Sequence, residues 1–383
     1  MSAVDRVARV ALSRLGEPGD PRLTSLVAEL GAGEVYDYLR AERDPTGVAT
    51  DVAARLHGLD PEADLARAAG HGIRFVCPGD QEWPDRLTDL DRCGQLNGRG
   101  GAPLGLWLRG VGRLDELVDR SVAVVGSRSA TTYGAGVAAE IAAQVAGEGV
   151  AVVSGAAFGI DQAAHRGALA VRGPTVAVLA CGVDRAYPAA HRDLIGYVAD
   201  TGLVVSELPP GCAPTKVRFL SRNRIIAALS LGTVVVEAAV RSGALNTANW
   251  ASLLNRPVMG VPGPVTSAPS EGVHELLRNR DAVLVTRGSQ VLELVSPSGS
   301  FTQSWARAPE RPADRLGETD RQVLDAVPVT QPASAGSVAR TAGLAERTVT
   351  ESLARLRAGG FVEGGDRGWR LAPAARPGQG AGS

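Results

Sequence analysis

Residues 121–128 read Ser-Val-Ala-Val-Val-Gly-Ser-Arg, a short apolar run that ends in small and polar residues. The pattern returns at residues 150–155, which read Val-Ala-Val-Val-Ser-Gly. Short, nearly continuous runs of this kind are typical of parallel strands that are buried on both faces. The predicted strands are Ser121–Val125, Val150–Val153, Thr175–Ala180, Leu203–Val205, Thr233–Val236, Val258–Val261 and Ala282–Val285.

Segments of helical length separate these runs, for example residues 133–148, 188–200, 218–230 and 243–255. Repeated alternation of strands and helices predicts an α/β fold with a doubly wound parallel sheet. Ligands of such sheets bind at the carboxyl ends of the strands. The loops that follow the strands are therefore the first place to look for function.

The flanking regions differ from this core. Apolar spacing predicts a helical module at the N-terminus, either of helix-hairpin-helix (SAM-like) type or a plain structural cap. Near the C-terminus, three short helical patterns and a Gly-rich hairpin predict a small winged helix. The expected divisions are a helical module 1–70, a lead-in 71–120, the core 121–296, a Pro- and Ser-rich linker 297–316, the winged helix 317–373 and a disordered tail 374–383.

Composition excludes several classes of protein. The 383 residues are 44% hydrophobic and 21% charged, which is ordinary for a globular protein. No apolar run is long enough for a membrane helix, and the four cysteines lie far apart without metal-site spacing. We therefore expect a cytoplasmic protein without a membrane, metal or cofactor. Because the net charge is −1, any nucleic-acid site must be a local patch.

Three of the strand ends could hold phosphate. Gly126-Ser127-Arg128 follows the first strand, and Ser154-Gly155 follows the second. Backbone N–H groups at a helix start, together with an arginine, can bind a phosphate. The fifth strand is followed by a similar loop at Ser242-Gly243. The dinucleotide fingerprint Gly-x-Gly-x-x-Gly and the P-loop are absent.

The densest chemical feature is a basic cluster at residues 211–228. It contains Lys216, Arg218, Arg222 and Arg224 without an acidic residue, and Phe219 lies among them. Positive charge attracts the backbone of a nucleic acid, and an aromatic ring offers a surface on which an unpaired base can stack. The alternative is a solvated helix start whose phenylalanine turns into the core. We favour the binding interpretation.

The ordered series of strand-end motifs resembles the signature of the DprA/Smf family of bacterial DNA-processing proteins. The resemblance runs over about residues 70–286 and begins with Trp83-Pro84 and Leu106-Trp107-Leu108-Arg109-Gly110. The sequence departs from the family at Leu220, where proline is common, and at Ala244, where serine is usual. The matching motifs are Gly126-Ser127-Arg128, Ser154-Gly155 with Gly159-Ile160-Asp161, Gly182-Val183-Asp184 with Tyr187-Pro188, Ser206-Glu207 with Pro210-Gly211, Arg222-Asn223-Arg224-Ile225-Ile226, Val236-Glu237-Ala238, Ser242-Gly243-Ala244-Leu245-Asn246-Thr247-Ala248 and Val261-Pro262-Gly263.

The resemblance implies an extended Rossmann-like core that binds single-stranded DNA, passes it to the recombinase RecA and is not an enzyme. It also implies a homodimer through the distal core around residues 270–286, with Leu276 and Leu277 as candidates. Arg128 and Lys216 correspond to phosphate-holding residues, and Phe219 corresponds to the stacking ring. The predicted DNA-binding set is Arg128, Ser154, Gly155, Lys216, Phe219, Arg222, Asn223, Arg224, Ser242, Gly243 and Thr247.

Two other functions remain open at this point. The sheet could process a nucleotide, as phosphoribohydrolases do on a related fold, with Glu237 as acid or base. Alternatively, the winged helix could read duplex DNA in a transcriptional regulator.

Overall fold

Two units make up the chain, residues 1–303 and 304–383, and each is described by itself. The structure is a computed structural model, and it describes residues 3–41, 58–279, 281–297, 299–301, 312–365 and 367–373. The predicted tail at 374–383 and most of the predicted linker lie outside the described residues.

The first unit begins with helices whose apolar positions recur at helical spacing. They are α1 (Ala3–Leu15), α2 (Pro21–Leu30), α3 (Ala32–Arg40) and α4 (Pro61–Gly70). Asp20 caps α2 by accepting a hydrogen bond from the Arg22 N–H, and Pro21 occupies the first position, where a missing N–H does no harm. Leu12, Leu15, Leu23 and other apolar residues form a core of their own.

A nine-stranded sheet forms the centre of the unit. In chain order its strands are β1 (Ile73–Val76), β4 (Leu106–Arg109), β5 (Ser121–Val125), β6 (Ala151–Ser154), β7 (Thr175–Val178), β8 (Leu203–Ser206), β9 (Thr233–Val235), β10 (Val258–Gly260) and β11 (Val283–Leu284). A separate small hairpin consists of β2 (Gln95–Leu96) and β3 (Arg99–Gly100). The order across the large sheet is β1-β4-β8-β7-β6-β5-β9-β10-β11.

The seven predicted strands are all present and run parallel from β8 to β11. The sheet is nevertheless mixed, because β1 and β4 from the lead-in add an antiparallel edge that the sequence analysis did not identify as strands. The prediction that every strand is buried on both faces is also wrong for β11. Val283 and Leu284 are 50% and 53% exposed because β11 is a two-residue strand at the edge of the sheet.

Helices cover both faces of the sheet, as the alternation predicted. They are α5 (Leu114–Asp119), α6 (Thr132–Gly147), α7 (Ile160–Ala170), α8 (Arg192–Thr201), α9 (Lys216–Leu229), α10 (Gly243–Leu253), α11 (Glu271–Arg278) and α12 (Gly288–Val295). Val122, Val152 and Val234 face the layer that contains α6 and α7, whereas Val153, Val205 and Val235 face the layer that contains α9 and α10. The α/β fold class is therefore confirmed.

The second unit has the elements of the predicted winged helix. Its helices are α13 (Glu318–Ala326), α14 (Ala335–Ala342) and α15 (Glu346–Ala358), and its hairpin consists of β12 (Val362–Gly365) and β13 (Gly368–Leu371). Val323, Val338 and Leu353 are buried in its core. The exact domain boundaries stay a prediction.

Within the described parts of both units, no helix combines the length and the apolar character that crossing a membrane requires.

Candidate nucleic-acid interface

A cleft of about 770 Å³ opens at the carboxyl end of the sheet, where β5 lies between β6 and β9. The chain leaves β5 towards β6 but later returns to its other side as β9, so this is a topological switch point, where sheets of this class bind ligands. We call it the switch-point cleft. It is lined by the loop after β5, the first turns of α9 and the start of α10, including Ser127, Arg128, Lys216, Phe219, Arg222, Asn223, Arg241, Gly243 and Thr247.

The rim of the switch-point cleft carries three exposed cations, Arg128, Lys216 and Arg241. None of the three forms a salt bridge to another of the described residues. Lys216 is the first residue of α9, and Thr215 caps that helix by accepting a hydrogen bond from the Arg218 N–H. The rim therefore presents positive charge that the protein itself does not neutralise.

Phe219 lies beside these cations and is half-buried. The Arg128 Cζ atom is 4.5 Å from the centroid of the Phe219 ring, within cation–π range. The ring of Tyr187 is 5.7 Å away on a tilt of 50°. Phe219 is therefore not turned into the core, and a base could stack in the cleft beside it.

The floor of the cleft is formed by Arg222, which is almost fully buried. Its Nη1 donates to the Val178 carbonyl at 3.0 Å, and its Nε has no hydrogen-bond partner among the described residues. Burial lowers the pKa of Arg222, although Coulombic attraction to Asp161 opposes the shift. Arg222 therefore places a guanidinium in contact with the cleft from below.

Gly155 makes room for this guanidinium. A Cβ atom at position 155 would lie 1.3 Å from Arg222 Nη1, so only glycine fits beneath the side chain. The Gly155 N–H donates to Asp161 Oδ2 at 3.1 Å. Burial raises the pKa of Asp161, while Arg222 and the backbone N–H groups act in the opposite direction.

The predicted phosphate-binding role of Ser154 and Gly155 therefore needs correction. The Ser154 hydroxyl is buried and donates to the Val124 carbonyl at 2.6 Å. The Gly155 N–H is engaged by Asp161, and neither residue lines the cleft. Their small size serves the packing of Arg222.

The predicted DNA-binding role of Arg224 needs correction as well. Its side chain is completely buried, and Nη2 donates to Glu207 at 2.7 Å. It lies beneath Gly19, where a Cβ atom would be 2.7 Å from Arg224 Nε. Since Arg222 and Arg224 are two positions apart, they point to different sides of α9. Arg224 therefore stabilises the interior, and Arg218 is likewise paired, with Glu17 at 2.7 Å.

The start of α10 closes the cleft on the other side. Ser242 caps the helix by accepting from the Ala244 N–H, and Gly243 and Thr247 line the cleft. Asn223 donates from Nδ2 to the Gly243 carbonyl and to Asn246 Oδ1, each at 3.2 Å. Asn223 thus ties α9 to α10 and fixes the width of the cleft.

Glu237, the candidate acid or base of the enzyme alternative, lies outside the cleft lining. Its two carboxylate oxygens accept hydrogen bonds from the Thr131 N–H at 2.9 Å and the Thr131 hydroxyl at 2.5 Å. These bonds secure the N-terminus of α6, which a carboxylate stabilises. The described residues also contain no group of acidic, histidine and cysteine side chains arranged to hold a metal.

Sequence reasoning missed two residues of the cleft. Arg241 directly precedes the Ser242-Gly243 loop but was not singled out, and Tyr187 was noted only within the Tyr187-Pro188 motif. Both line the cleft because their loops follow strands whose carboxyl ends meet there. A search for cations and rings after every predicted strand would have found them.

Comparison with known proteins gives a family match. Residues 74–296 match the family described as DNA recombination-mediator protein A. The DNA processing protein DprA of Mycobacterium tuberculosis is 43% identical over 372 residues, which cover 96% of this chain and 95% of the relative.

Solved structures include similar proteins. The X-ray structure of DNA processing protein A from Streptococcus pneumoniae has a TM-score of 0.63 and 30% identity, and the match covers 77% of this chain and 99% of that one. A structure of DNA processing protein A from Helicobacter pylori, from a study of that protein's single-stranded DNA binding mode, has a TM-score of 0.49 and 26% identity and covers 57% of this chain and 94% of that one. The family match and the near full-length relative confirm the resemblance found in the sequence: the chain belongs to the DprA/Smf family of DNA-processing proteins.

Proposed function

We propose that this DNA-processing protein binds single-stranded DNA in the switch-point cleft, as a mediator and not as an enzyme. The observation that carries the proposal is the set of unneutralised cations Arg128, Lys216 and Arg241 around the half-buried ring of Phe219. Cations that follow the phosphates and a ring that accepts a base are what a single strand needs. Arg222 on the floor of the cleft adds a fourth positive charge.

Binding of this type depends on the backbone and on stacking, so we expect little sequence preference and a marked loss of affinity with salt. Asn223, Ser242, Gly243 and Thr247 act in the proposal by shaping the wall of the cleft. Arg224, Ser154 and Gly155 are left out as direct ligands because their polar groups are engaged inside the protein.

A non-enzymatic role is supported by the position of the carboxylates. Glu237 is engaged at the start of α6, and Glu207 is engaged with Arg224. Neither of these carboxylates lines the cleft, and Asp161, which does, is buried, accepts from the Gly155 N–H and lies close to Arg222. Release of free base from nucleoside monophosphates would contradict this part of the proposal.

The experiment is fluorescence anisotropy of a labelled oligo-dT with a duplex competitor. We expect Phe219→Ala to weaken binding by about 1–3 kcal/mol, the usual effect of losing one stacked base, and Phe219→Tyr to retain most of the affinity. Arg120→Ala is the charge control, because Arg120 is exposed and directly precedes β5, at the amino ends of the strands. Tighter binding to duplex than to oligo-dT, or wild-type affinity of Phe219→Ala, would overturn the proposal.

We also infer that the bound strand is handed to RecA, which the family's description as a recombination mediator supports. The check is whether the protein accelerates RecA filament formation on single strands coated with a competing binding protein.

A homodimer is supported by the exposed edge strand β11 more than by Leu276 and Leu277, which pack partly against the core. Light-scattering mass of wild type and Leu284→Arg tests that assignment.

A further inference from the structure

A second cleft, of about 900 Å³, lies beside α8 and adjoins the switch-point cleft. Tyr187 and Pro214 line both clefts, so the two form neighbouring parts of one depression. We call the second one the tyrosine cleft, after Tyr187 and Tyr197 in its lining. No part of the function proposed so far uses it.

The lining of the tyrosine cleft combines rings with cations. Tyr187 and Tyr197 are 43% and 52% exposed, and Tyr187 also lies 5.7 Å from the Phe219 ring. Arg185 and Arg192 are exposed, and neither forms a salt bridge within the described parts of the chain. Rings and guanidinium groups of this kind are what the switch-point cleft also offers.

One face of α8 sets the direction of the cleft. Arg192, Gly196, Tyr197 and Asp200 recur at helical spacing and all line it. Residues 192 to 200 extend over roughly 12 Å of helix. A Cβ atom at Gly196 would meet nothing within 4 Å, so the space in front of the helix next to Tyr197 is open. The cleft is therefore long enough for more than one nucleotide.

The charge of the tyrosine cleft differs from that of the switch-point cleft. Asp184, Asp193 and Asp200 line it together with its arginines, so the two signs are balanced. Asp184 accepts from the Gly211 N–H at 2.9 Å and is engaged in the loop, whereas Asp193 and Asp200 are exposed on α8. A bound strand should consequently gain more from stacking here than from neutralising phosphates.

We propose that the tyrosine cleft binds the nucleotides of a single strand that extend beyond the switch-point cleft, with Tyr187 at the junction and Tyr197 as a stacking platform. Arg185 and Arg192 contact the backbone of this segment, and the exposed carboxylates accept hydrogen bonds from base N–H groups. This inference rests on the proposed function, since it continues the same strand along the same surface. It predicts that long and short strands respond differently to one substitution.

The test uses oligo-dT of about five and about 20 nucleotides, within and beyond the site sizes of single-strand grooves. Tyr197→Ala should weaken binding of the long strand by about fivefold to 150-fold and leave the short strand unaffected, as expected for loss of one stacked base. Tyr197→Phe keeps the ring and should bind like wild type. Arg192→Gln should have a smaller effect than Tyr197→Ala, because the charges are balanced.

A direct readout separates contact from a structural effect. Photo-crosslinking with a halogenated uracil moved along the long strand should label Tyr197 at positions distinct from those that label Phe219. Wild-type affinity of Tyr197→Ala for the long strand, an equal fold loss for both strands, or crosslinks to Phe219 alone would overturn the proposal while leaving the proposed function intact. If wild type binds neither strand, the proposed function fails first, and the inference with it.

Discussion

The basic residues of α9 differ in their surroundings: those at its start lie at the surface, whereas those further along are buried. Its first turns place Lys216 and Phe219 at the rim of the switch-point cleft, where Lys216 is exposed without a carboxylate partner among the described residues. Its later turns bury Arg222 and Arg224, whose guanidinium groups contact the Val178 carbonyl and Glu207. Four positive charges in one basic cluster are therefore not equivalent.

The difference lies in what neutralises each charge. A buried charge must be paired or hydrogen-bonded, because desolvation is expensive. An exposed charge remains hydrated, so the absence of a partner costs little free energy, and a phosphate can replace the bound water. We therefore expect substitutions in the buried half to lower stability and substitutions at the rim to lower affinity.

The largest expected effect is on stability, for Arg224→Met. Removing this partner leaves Glu207, whose side chain is 10% exposed, without its counter-charge, and breaking a buried pair in this way typically lowers the free energy of unfolding by about 3–5 kcal/mol. Lys216→Met, at the exposed end of the same helix, should change it by no more than about 0.5 kcal/mol. Urea unfolding of both variants, followed by circular dichroism, is the measurement.

A second substitution controls for simple loss of packing. Arg224→Met combined with Glu207→Leu removes both charges and should recover much of the lost stability, since replacing a buried pair by apolar residues is often neutral. If Arg224→Met is as stable as Lys216→Met, the division between the two halves of α9 does not hold.

The buried histidine His165 should make the stability of the protein depend on pH. His165 is fully buried, and burial, with smaller contributions from His191 and Arg222, lowers its pKa from 6.5 to about 3 against the opposing effect of the Ser154 backbone. Its Nδ1 contacts the Thr175 hydroxyl at 2.8 Å, and that hydroxyl donates to the Val152 carbonyl, so Nδ1 carries the proton. Nε2 has no hydrogen-bond partner among the described residues, so protonating it would bury a lone N–H.

Because the folded state holds His165 neutral, only the unfolded chain takes up a proton between pH 6.5 and 3. Stability therefore falls as pH falls through this range, by about 2 kcal/mol from this residue at pH 5. His165→Asn should show a correspondingly flatter decline between pH 7 and pH 5 in urea unfolding. Wild type and His165→Asn share all other titratable groups, so the difference between their slopes of unfolding free energy against pH reports on His165 alone. Equal slopes would show that His165 is not held neutral.

The core of the fold was predictable because its signal is local. Val-rich runs and the helices between them follow from burial on both faces of a parallel sheet, so β5 to β10 could be located to within a residue or two. The lead-in was harder: Leu106–Arg109 has only four residues, and its pairing partner Ile73–Val76 lies 30 residues earlier. An antiparallel edge depends on contacts that no local pattern records.

The candidate site was predictable in its chemistry but not in its geometry. Strand-end motifs placed Arg128, Lys216 and Phe219 together, since the carboxyl ends of parallel strands meet at one edge. The burial of Arg224 depends on the loop around Gly19, which is about 200 residues away in the chain. The sequence likewise could not show that Gly155 makes space for Arg222. Such contacts between distant segments are set by tertiary packing.

The smallest expected effect concerns salt, and it tests Arg241, the rim cation that sequence reasoning missed. Each phosphate contact to a single strand contributes about 0.7 to the slope of log affinity against log salt concentration. Arg241→Gln should reduce that slope by about this amount without changing stability, and Lys216→Gln should do the same. Arg120→Gln, at the opposite edge of the sheet, should leave the slope unchanged. If Arg241→Gln binds oligo-dT with the wild-type slope, its exposed guanidinium is not a phosphate contact, and the rim consists of Arg128 and Lys216 alone.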